Sequence, residues 1–427
     1  MDLGLERIQT LLRALNRPQD TFKVIHVAGT NGKGSVCAYM TSVLRQAGLS
    51  VGRFNSPHFL EPHDSIYVND SPVSKQEYEA TCAYVSKINN EQDISATSFE
   101  QLVATALCLF RDHQVEWIVI EVGLGGALDA TNIFETPKMT IITSIGMDHA
   151  AVLGGTIQSI AAAKAGIMKS TCPVVIAPQN EPHALDTLID HAKKVNAPFR
   201  IARAATWVKG ASSSSTLTCR LDDTTTAKGT IEYSISLRGD YQRENSATAV
   251  MALLWLQENG DISFTMDMLQ AGMARTRWPG RLDYIATPMF EGQPLPPMLV
   301  DGAHNIPAAK ALRQYIDDLD PTRVLWLLGV TAGKDLSEML SVLLRPDDTV
   351  LAAPFSQPQG MPWIHSTPPH EVCEHAMEIV SDARPLESVQ AALKMIPSLE
   401  SYSLVVLCGS LYLVADFYRL LENNNDA

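Results

Sequence analysis

The sequence has 427 residues, 46% hydrophobic and 19% charged, the balance of a soluble globular chain long enough for two or three domains. A net charge of −14 argues against a nucleic-acid partner, and no apolar run approaches the roughly 20 residues of a membrane span. The seven cysteines are scattered without a C-x-x-C pair, so neither a disulfide framework nor a zinc site is indicated.

A reducing, cytoplasmic setting follows, and a monomer is expected. The charge is uneven: from Arg281 onward nine Lys and Arg stand against nineteen Asp and Glu, a net of −10. Anionic ligands must therefore be held by a few aimed groups.

The chain opens on an amphipathic helix marked by Leu5, Ile8, Leu11, Leu12 and Leu15, which reads as neither a transit nor a secretory peptide. Strands are predicted at Phe22–Ala28, Trp117–Val122, Met139–Ile145 and Val174–Ala177, alternating with helical patterns as in a mostly parallel α/β sheet. The Ser/Thr-rich stretch Gly210–Gly239 reads as an antiparallel hairpin, Leu217–Leu221 with Thr230–Leu237, inserted at the sheet edge. Trp278-Pro279-Gly280 is the expected hinge, which divides the chain into domains 1–280 and 281–427. In the second, strands are predicted at Pro297–Val300, Val324–Leu328, Thr349–Ala353 and Ser403–Leu407, and helices at Pro307–Leu319, Leu336–Leu344, Glu371–Ile379 and Leu411–Leu421. Pro288–Pro297 reads as loop, and Asn423–Ala427 as a frayed polar tail.

Gly29-Thr30-Asn31-Gly32-Lys33-Gly34-Ser35 follows a strand and opens the helix Val36–Gln46. Glycines there let backbone N–H groups close around phosphate oxygens, Lys33 neutralises charge, and the Ser35 hydroxyl can reach Mg²⁺. The spacing is a variant of the commoner phosphate loop. Glu121 ends the run Trp117-Ile118-Val119-Ile120 at a strand's carboxyl end, where a carboxylate is placed to hold Mg²⁺. Asp148-His149 follows the third strand, although a lone histidine is more often structural. Lys164, in a helix of small residues, reads in isolation as a solvated lysine. Asp301-Gly302-Ala303-His304-Asn305 forms a polar cluster after the first strand of the second domain.

In order, these segments, with Ser56-Pro57-His58, Thr97-Ser98-Phe99-Glu100, Glu121-Val122-Gly123-Leu124-Gly125-Gly126, Leu128-Asp129-Ala130-Thr131-Asn132, Lys164-Ala165-Gly166, Trp278-Pro279-Gly280-Arg281 and Gly409-Ser410-Leu411-Tyr412, resemble the Mur ligase superfamily. The resemblance is to its folate branch, the dihydrofolate synthases and folylpolyglutamate synthases. It implies an N-terminal phosphate-loop ATPase domain with a mostly parallel sheet and a smaller, Rossmann-like C-terminal α/β domain. It also implies that ATP is held by Gly29, Thr30, Asn31, Gly32, Lys33, Gly34 and Ser35, with Asn245, Arg281, Asp301 and His304. Two Mg²⁺ ions would be ligated by Ser56, Glu121, His149 and Lys164, the last as an N-carboxylated lysine. Ser98, Phe99, Glu100, Gln101, Leu128, Asp129 and Ala130 would line the pterin-bearing substrate. Lys33, Lys164, His149 and Arg281 would be the catalytic groups.

The expected reaction is ATP-dependent ligation of L-glutamate to 7,8-dihydropteroate through an acyl-phosphate. The ending Asp64-Ser65-Ile66 resembles fungal dihydrofolate synthases, but His63 stands where the family pattern has a basic residue, and Asn305 differs from the Thr of animal folylpolyglutamate synthases. Polyglutamate extension of tetrahydrofolate is the alternative within the family. A phosphate-loop kinase or NTPase is the alternative outside it, and it leaves Arg281 and the Asp301 cluster unexplained.

Overall fold

The computed structural model describes residues 4–208, 216–222, 229–359, 361–399 and 402–422. They fall into two compact units. The first comprises Met1–His58, His63–Ser236 and Tyr241–Arg277, and the second Phe59–Pro62, Leu237–Asp240 and Trp278–Ala427.

The first unit begins with α1 (Glu6–Ala14), β1 (Lys23–Ala28), α2 (Lys33–Gln46), β2 (Val51–Phe54), β3 (Ile66–Val68) and β4 (Ser71–Pro72). It continues with α3 (Lys75–Glu91), α4 (Ser98–Asp112), β5 (Trp117–Glu121), β6 (Met139–Ile142), α5 (Ala150–Leu153), α6 (Ile157–Ala165), β7 (Val174–Ile176), α7 (Pro182–Lys194) and β8 (Phe199–Ile201). The sheet order is β4-β3-β2-β5-β1-β6-β7-β8, parallel from β2 to β8, with β3 and β4 antiparallel. Strands covered on both faces need continuous apolar runs, and Val24, Ile25 and Val27 of β1 are all buried. Leu11 of α1, Val85 of α3 and Leu107 of α4 share one apolar cluster, and Ile160 of α6 and Leu188 of α7 another. From β1 the chain first builds the β2 side, then crosses after β5 to β6 on the other side. The carboxyl end of β1 is thus a topological switch point, where open α/β sheets bind ligands.

The predicted hairpin forms, with Leu217 opposite Ile235, but it is not an edge of the main sheet. With β9 (Thr206–Trp207), strands β10 (Leu217–Asp222) and β11 (Thr230–Ile235) make a separate three-stranded sheet. Cys219, Leu221, Ile231, Tyr233 and Ile235 give that sheet a buried face of its own. The rest of the Ser/Thr stretch, residues 209–215 and 223–228, lies outside the described residues. Helices α8 (Gln242–Glu258) and α9 (Met266–Arg275) complete the unit.

The second unit contains β12 (Asp283–Ile285), β13 (Met289–Phe290), β14 (Gln293–Pro294), β15 (Met298–Val300), α10 (Ile306–Asp318), β16 (Val324–Leu328) and α11 (Leu336–Leu343). Then come β17 (Thr349–Ala352), α12 (Pro369–Ala376), β18 (Asp382–Pro385), α13 (Val389–Met395), β19 (Leu404–Cys408) and α14 (Leu411–Glu422). Its six-stranded sheet runs β12-β15-β19-β16-β17-β18, with only β12 antiparallel. The segment expected to be loop, Pro288–Pro297, instead holds the short β13–β14 hairpin. The predicted tail, 423–427, lies outside the described residues. Phe59 belongs to this unit although it is early in the chain: its ring meets Tyr418 edge-on at 5.2 Å, and Arg419 Nε donates to Leu60 O at 3.2 Å.

One buried carboxylate fastens β16 to the turn before β17. Asp348 accepts from Val324 N at 3.0 Å, Trp326 Nε1 at 2.9 Å and Arg345 N at 3.0 Å. Asp348→Ala leaves these donors without their acceptor inside the sheet. It is expected to destabilise the protein by about 2–4 kcal/mol, read as a lower urea midpoint for the transition that exposes Trp326.

Candidate active site

At the end of β1 the chain turns through Gly29, whose φ of 147° and missing Cβ let it pass the Thr143 hydroxyl. Thr30 N donates to Ser144 O at 2.8 Å, and Gly146 N donates to Thr30 Oγ1 at 3.1 Å, which pins the loop to the segment after β6. Gly32, at φ 91°, is the N-cap of α2 and offers no side-chain acceptor to its first turn. Those N–H groups and the helix dipole are available to an anion. A Cβ on Gly32 would overlap Asn245 Oδ1.

Lys33 Nζ donates to Thr30 O at 3.2 Å and lies 3.6 Å from Glu121 Oε1, while Glu121 Oε2 accepts from Asn55 Nδ2 at 2.7 Å. Ser56 Oγ, next in the chain after Asn55, is buried with no hydrogen-bond partner. An orphaned hydroxyl on the residue after the partner of a hard carboxylate suits Mg²⁺, which prefers oxygen ligands. Among the described residues no three of His, Cys, Asp and Glu converge as a metal cluster, so a site here needs Ser56, ligand phosphates or a modified lysine. His149 sits apart in character. Its backbone is left-handed (φ 53°), its side chain is 53% exposed, and Nε2 is 4.0 Å from Asp148 Oδ2.

Lys164 is buried, contrary to the solvated lysine its local sequence suggests, and Nζ donates to Gly29 O at 2.7 Å. Burial first, and then the Lys33 charge, lower its pKa to about 7. A neutral amine is therefore accessible near neutral pH, as N-carboxylation requires.

The segment Gly123–Asn132 is tied to the Lys164 helix. Ala127 N donates to Ala163 O at 2.8 Å, and Asn132 Nδ2 donates to Gly166 O at 3.1 Å. Phe99 packs under Gly123, leaving no room for a Cβ there, and Leu128 is exposed beside buried Ala130. These residues come together. Glu100 and Asp129 are engaged inside the protein. Glu100 Oε2 accepts from Thr97 N at 2.7 Å and Arg7 Nε at 3.0 Å, while Glu100 N donates to Thr97 Oγ1. Asp129 accepts from Leu124 N at 2.8 Å, Thr131 N at 3.0 Å and Thr131 Oγ1 at 2.6 Å. Burial pushes the Asp129 carboxyl up, opposed by those donors. Gln101 Nε2 donates to Ala96 O, and Ser98 opens α4 exposed. Glu100 and Asp129 thus shape the loops more directly than they present charge.

Two residues that sequence reading missed complete this region. His26 of β1 is buried, with Nε2 2.8 Å from Thr131 Oγ1, and burial lowers its pKa to about 3, so the ring is neutral. The Thr131 hydroxyl donates to Asp129, so Nε2 is the donor to Thr131. Gln242 of α8 donates from Nε2 to Ser35 Oγ at 3.2 Å, and Asn245 Nδ2 donates to Gln242 Oε1 at 3.2 Å. The available signal is the i, i+3 spacing of Gln242 and Asn245, which puts both on one helical face.

In the second unit, the carboxyl end of β15 delivers Asp301, whose Oδ2 accepts from Leu282 N at 2.8 Å. Burial raises its pKa, and the Arg281 guanidinium opposes the rise. Arg281 Nη1 donates to Gly280 O at 3.2 Å and reaches over Gly302. His304 Nδ1 is 2.8 Å from Gly302 O and donates to it. Asn305 caps α10 by accepting from Ala308 N at 3.0 Å.

Residues 27–253 match the Mur ligase middle domain, and residues 291–420 match the dihydrofolate synthetase C-terminal domain. The chain is 39% identical over 428 residues to a probable dihydrofolate synthetase of Schizosaccharomyces pombe, covering 99% of each. It is 35% identical over 432 residues to the dihydrofolate synthetase of Saccharomyces cerevisiae, covering 98% of each. Among solved structures it is similar to E. coli FolC in complex with DHPP and ADP, with TM-score 0.82 and 28% identity, covering 100% of this chain and 94% of that one.

Proposed function

Because the chain belongs to the Mur ligase family, in its dihydrofolate synthetase branch, and is thus an ATP-binding acid–amino-acid ligase, we propose that it joins L-glutamate to 7,8-dihydropteroate. The products are 7,8-dihydrofolate, ADP and phosphate. The observation that carries this reading is the convergence of Lys33, Glu121, Lys164 and the Gly123–Asn132 loop around one phosphate loop at the switch point of the sheet.

A carboxylate does not accept an amine at neutral pH, because oxide would have to leave. The substrate carboxylate oxygen therefore attacks the γ-phosphorus of ATP, and ADP departs. The glutamate amine then attacks the acyl carbon, and phosphate leaves as the amide forms. Open N–H groups at the start of α2 and the Lys33 ammonium hold the phosphates in line. Arg281 is assigned to the charge that develops at the reacting phosphoryl, and Asp301 and His304 to the nucleotide with Asn245. The exposed Leu128 and the Phe99-supported loop flank the pterin-bearing acid. Mg²⁺, as two ions held by Ser56, Glu121, His149 and carboxylated Lys164, would neutralise phosphate charge when bound. His149 would have to turn in from its exposed position to take part.

Residues 1–280 are assigned to ATP binding and 281–427 to the glutamate-ligase function. The two family matches lie within these bounds and support the division. No described helix is long and apolar enough to cross a membrane. The enzyme is proposed to be cytoplasmic, a reading that its seven free cysteines support, and to act as a monomer on small molecules without nucleic-acid or membrane partners.

Purified protein given ATP, glutamate and dihydropteroate is expected to form dihydrofolate and ADP one for one, with little extension of tetrahydrofolate monoglutamate. Comparable turnover on both acceptors would make the enzyme bifunctional. Turnover on tetrahydrofolate alone would replace this assignment with folylpolyglutamate synthase. ADP release without an acceptor would return the case to a simple NTPase.

A further inference from the structure

We propose that Gln242 is a positioning residue for the nucleotide–metal centre, acting through the direction of the Ser35 hydroxyl; the proposal rests on the ATP-binding reading above. Gln242 is fully buried, as Ser35 and Asn245 nearly are. A glutamine in such a place normally has partners on both sides of its amide. Here the carbonyl oxygen accepts from Asn245 Nδ2 and the amino group donates to Ser35 Oγ, each at 3.2 Å. The order of donors is fixed by this pairing. Turning the Gln242 amide over would set its NH₂ against that of Asn245.

The consequence falls on Ser35. A hydroxyl has one proton and two lone pairs, and it rotates to suit its neighbours. With one lone pair engaged by Gln242, its proton and remaining lone pair point away from α8. Asn245 closes the other end of the chain of bonds, since its Oδ1 lies against Gly32, the residue that precedes Lys33. One face of α8 therefore braces the phosphate loop at Gly32 and at Ser35, three residues apart. An apolar side chain of the same size would fill the volume and leave the Ser35 hydroxyl free to turn.

The test is a double-mutant cycle on binding, independent of turnover, with a non-hydrolysable ATP analogue titrated by calorimetry with and without Mg²⁺. Gln242→Met keeps the volume but removes donor and acceptor. It is expected to weaken the Mg²⁺-bound analogue about tenfold, while metal-free binding changes less than about threefold. Ser35→Ala should show the same pattern, and Ser35→Ala with Gln242→Met no more than Ser35→Ala alone. Gln242→Leu likewise lacks the donor to Ser35 and adds no charge, so it should show the same Mg²⁺-dependent loss if Gln242→Met fails to fold. Losses that multiply in the double variant mean that Gln242 only packs, and they overturn the proposal. So does an unchanged Mg²⁺ dependence in Gln242→Met or Gln242→Leu. Wild-type protein that binds no analogue overturns the ATP-binding reading itself, which is a separate result.

Discussion

Lys33→Ala is expected to lower kcat/KM by at least about 100-fold, ~3 kcal/mol of transition-state stabilisation, while leaving the thermal melt within a few degrees of wild type. The asymmetry follows from where the side chain lies. Lys33 opens α2, and its ammonium meets Thr30 O and Glu121 without entering the apolar clusters on either side of the sheet. Removing it costs the fold one carbonyl contact and a 3.6 Å ion pair. Removing it during reaction takes away the ammonium proposed to offset the charge that develops between ADP and the transferred phosphoryl. Steady-state rates at saturating ATP, set beside a melting curve, check both halves. Near-normal rates would remove Lys33 from the phosphate site.

Lys164→Ala should also abolish most turnover, by about 100-fold or more, and formate or acetate should restore part of it. In the proposed modification the neutral amine would attack carbon dioxide, forming a nitrogen–carbon bond and releasing a proton to leave a carbamate. With the free amine titrating near 7, carbamate is expected to accumulate as pH rises through that value and to fall away below it, where the ammonium form takes over. A ¹³C resonance of the carbamate from labelled bicarbonate, present in wild type and missing in Lys164→Ala, is the direct readout. Its absence from active wild-type enzyme would defeat the modification, and loss of activity without rescue by small carboxylates would defeat the role. Wild type that gains nothing from added bicarbonate after degassing would point the same way.

Strands β5, β16 and β19 are legible in the sequence because both their faces are covered and the apolar run is unbroken, and in β1 His26 alone interrupts it. Edge strand β18, Asp382–Pro385, is not, since one buried residue among polar neighbours gives no pattern. Helices with a stripe of leucines, such as α14, announce themselves. The site divides the same way. The phosphate loop is local, seven residues read in order. The Gln242–Ser35 contact joins residues 207 apart, and His26–Thr131 joins residues 105 apart. Spacing along one element carries no information about which buried amide will meet which hydroxyl. Glu100 is ambiguous for a related reason: Thr97-Ser98-Phe99-Glu100 is also a capping box, so the same letters that match a substrate motif satisfy the start of a helix.

Phe59 leaves the ribosome before most of the first unit exists, yet its aromatic neighbour Tyr418 and the Arg419 that holds Leu60 O are made far later. The contact spans 359 positions, so it forms only once Arg419 has emerged, at the loop-closure cost of a long chain already shortened by folded structure in between. Until then Phe59–Pro62 waits on the nascent protein as an unfinished apolar seat. A chain stopped a single helical turn before Tyr418 would carry every residue of the phosphate loop and still leave that seat open. Termination before Tyr418 is therefore expected to mark the protein for chaperone retention or proteolysis even though its phosphate loop is whole.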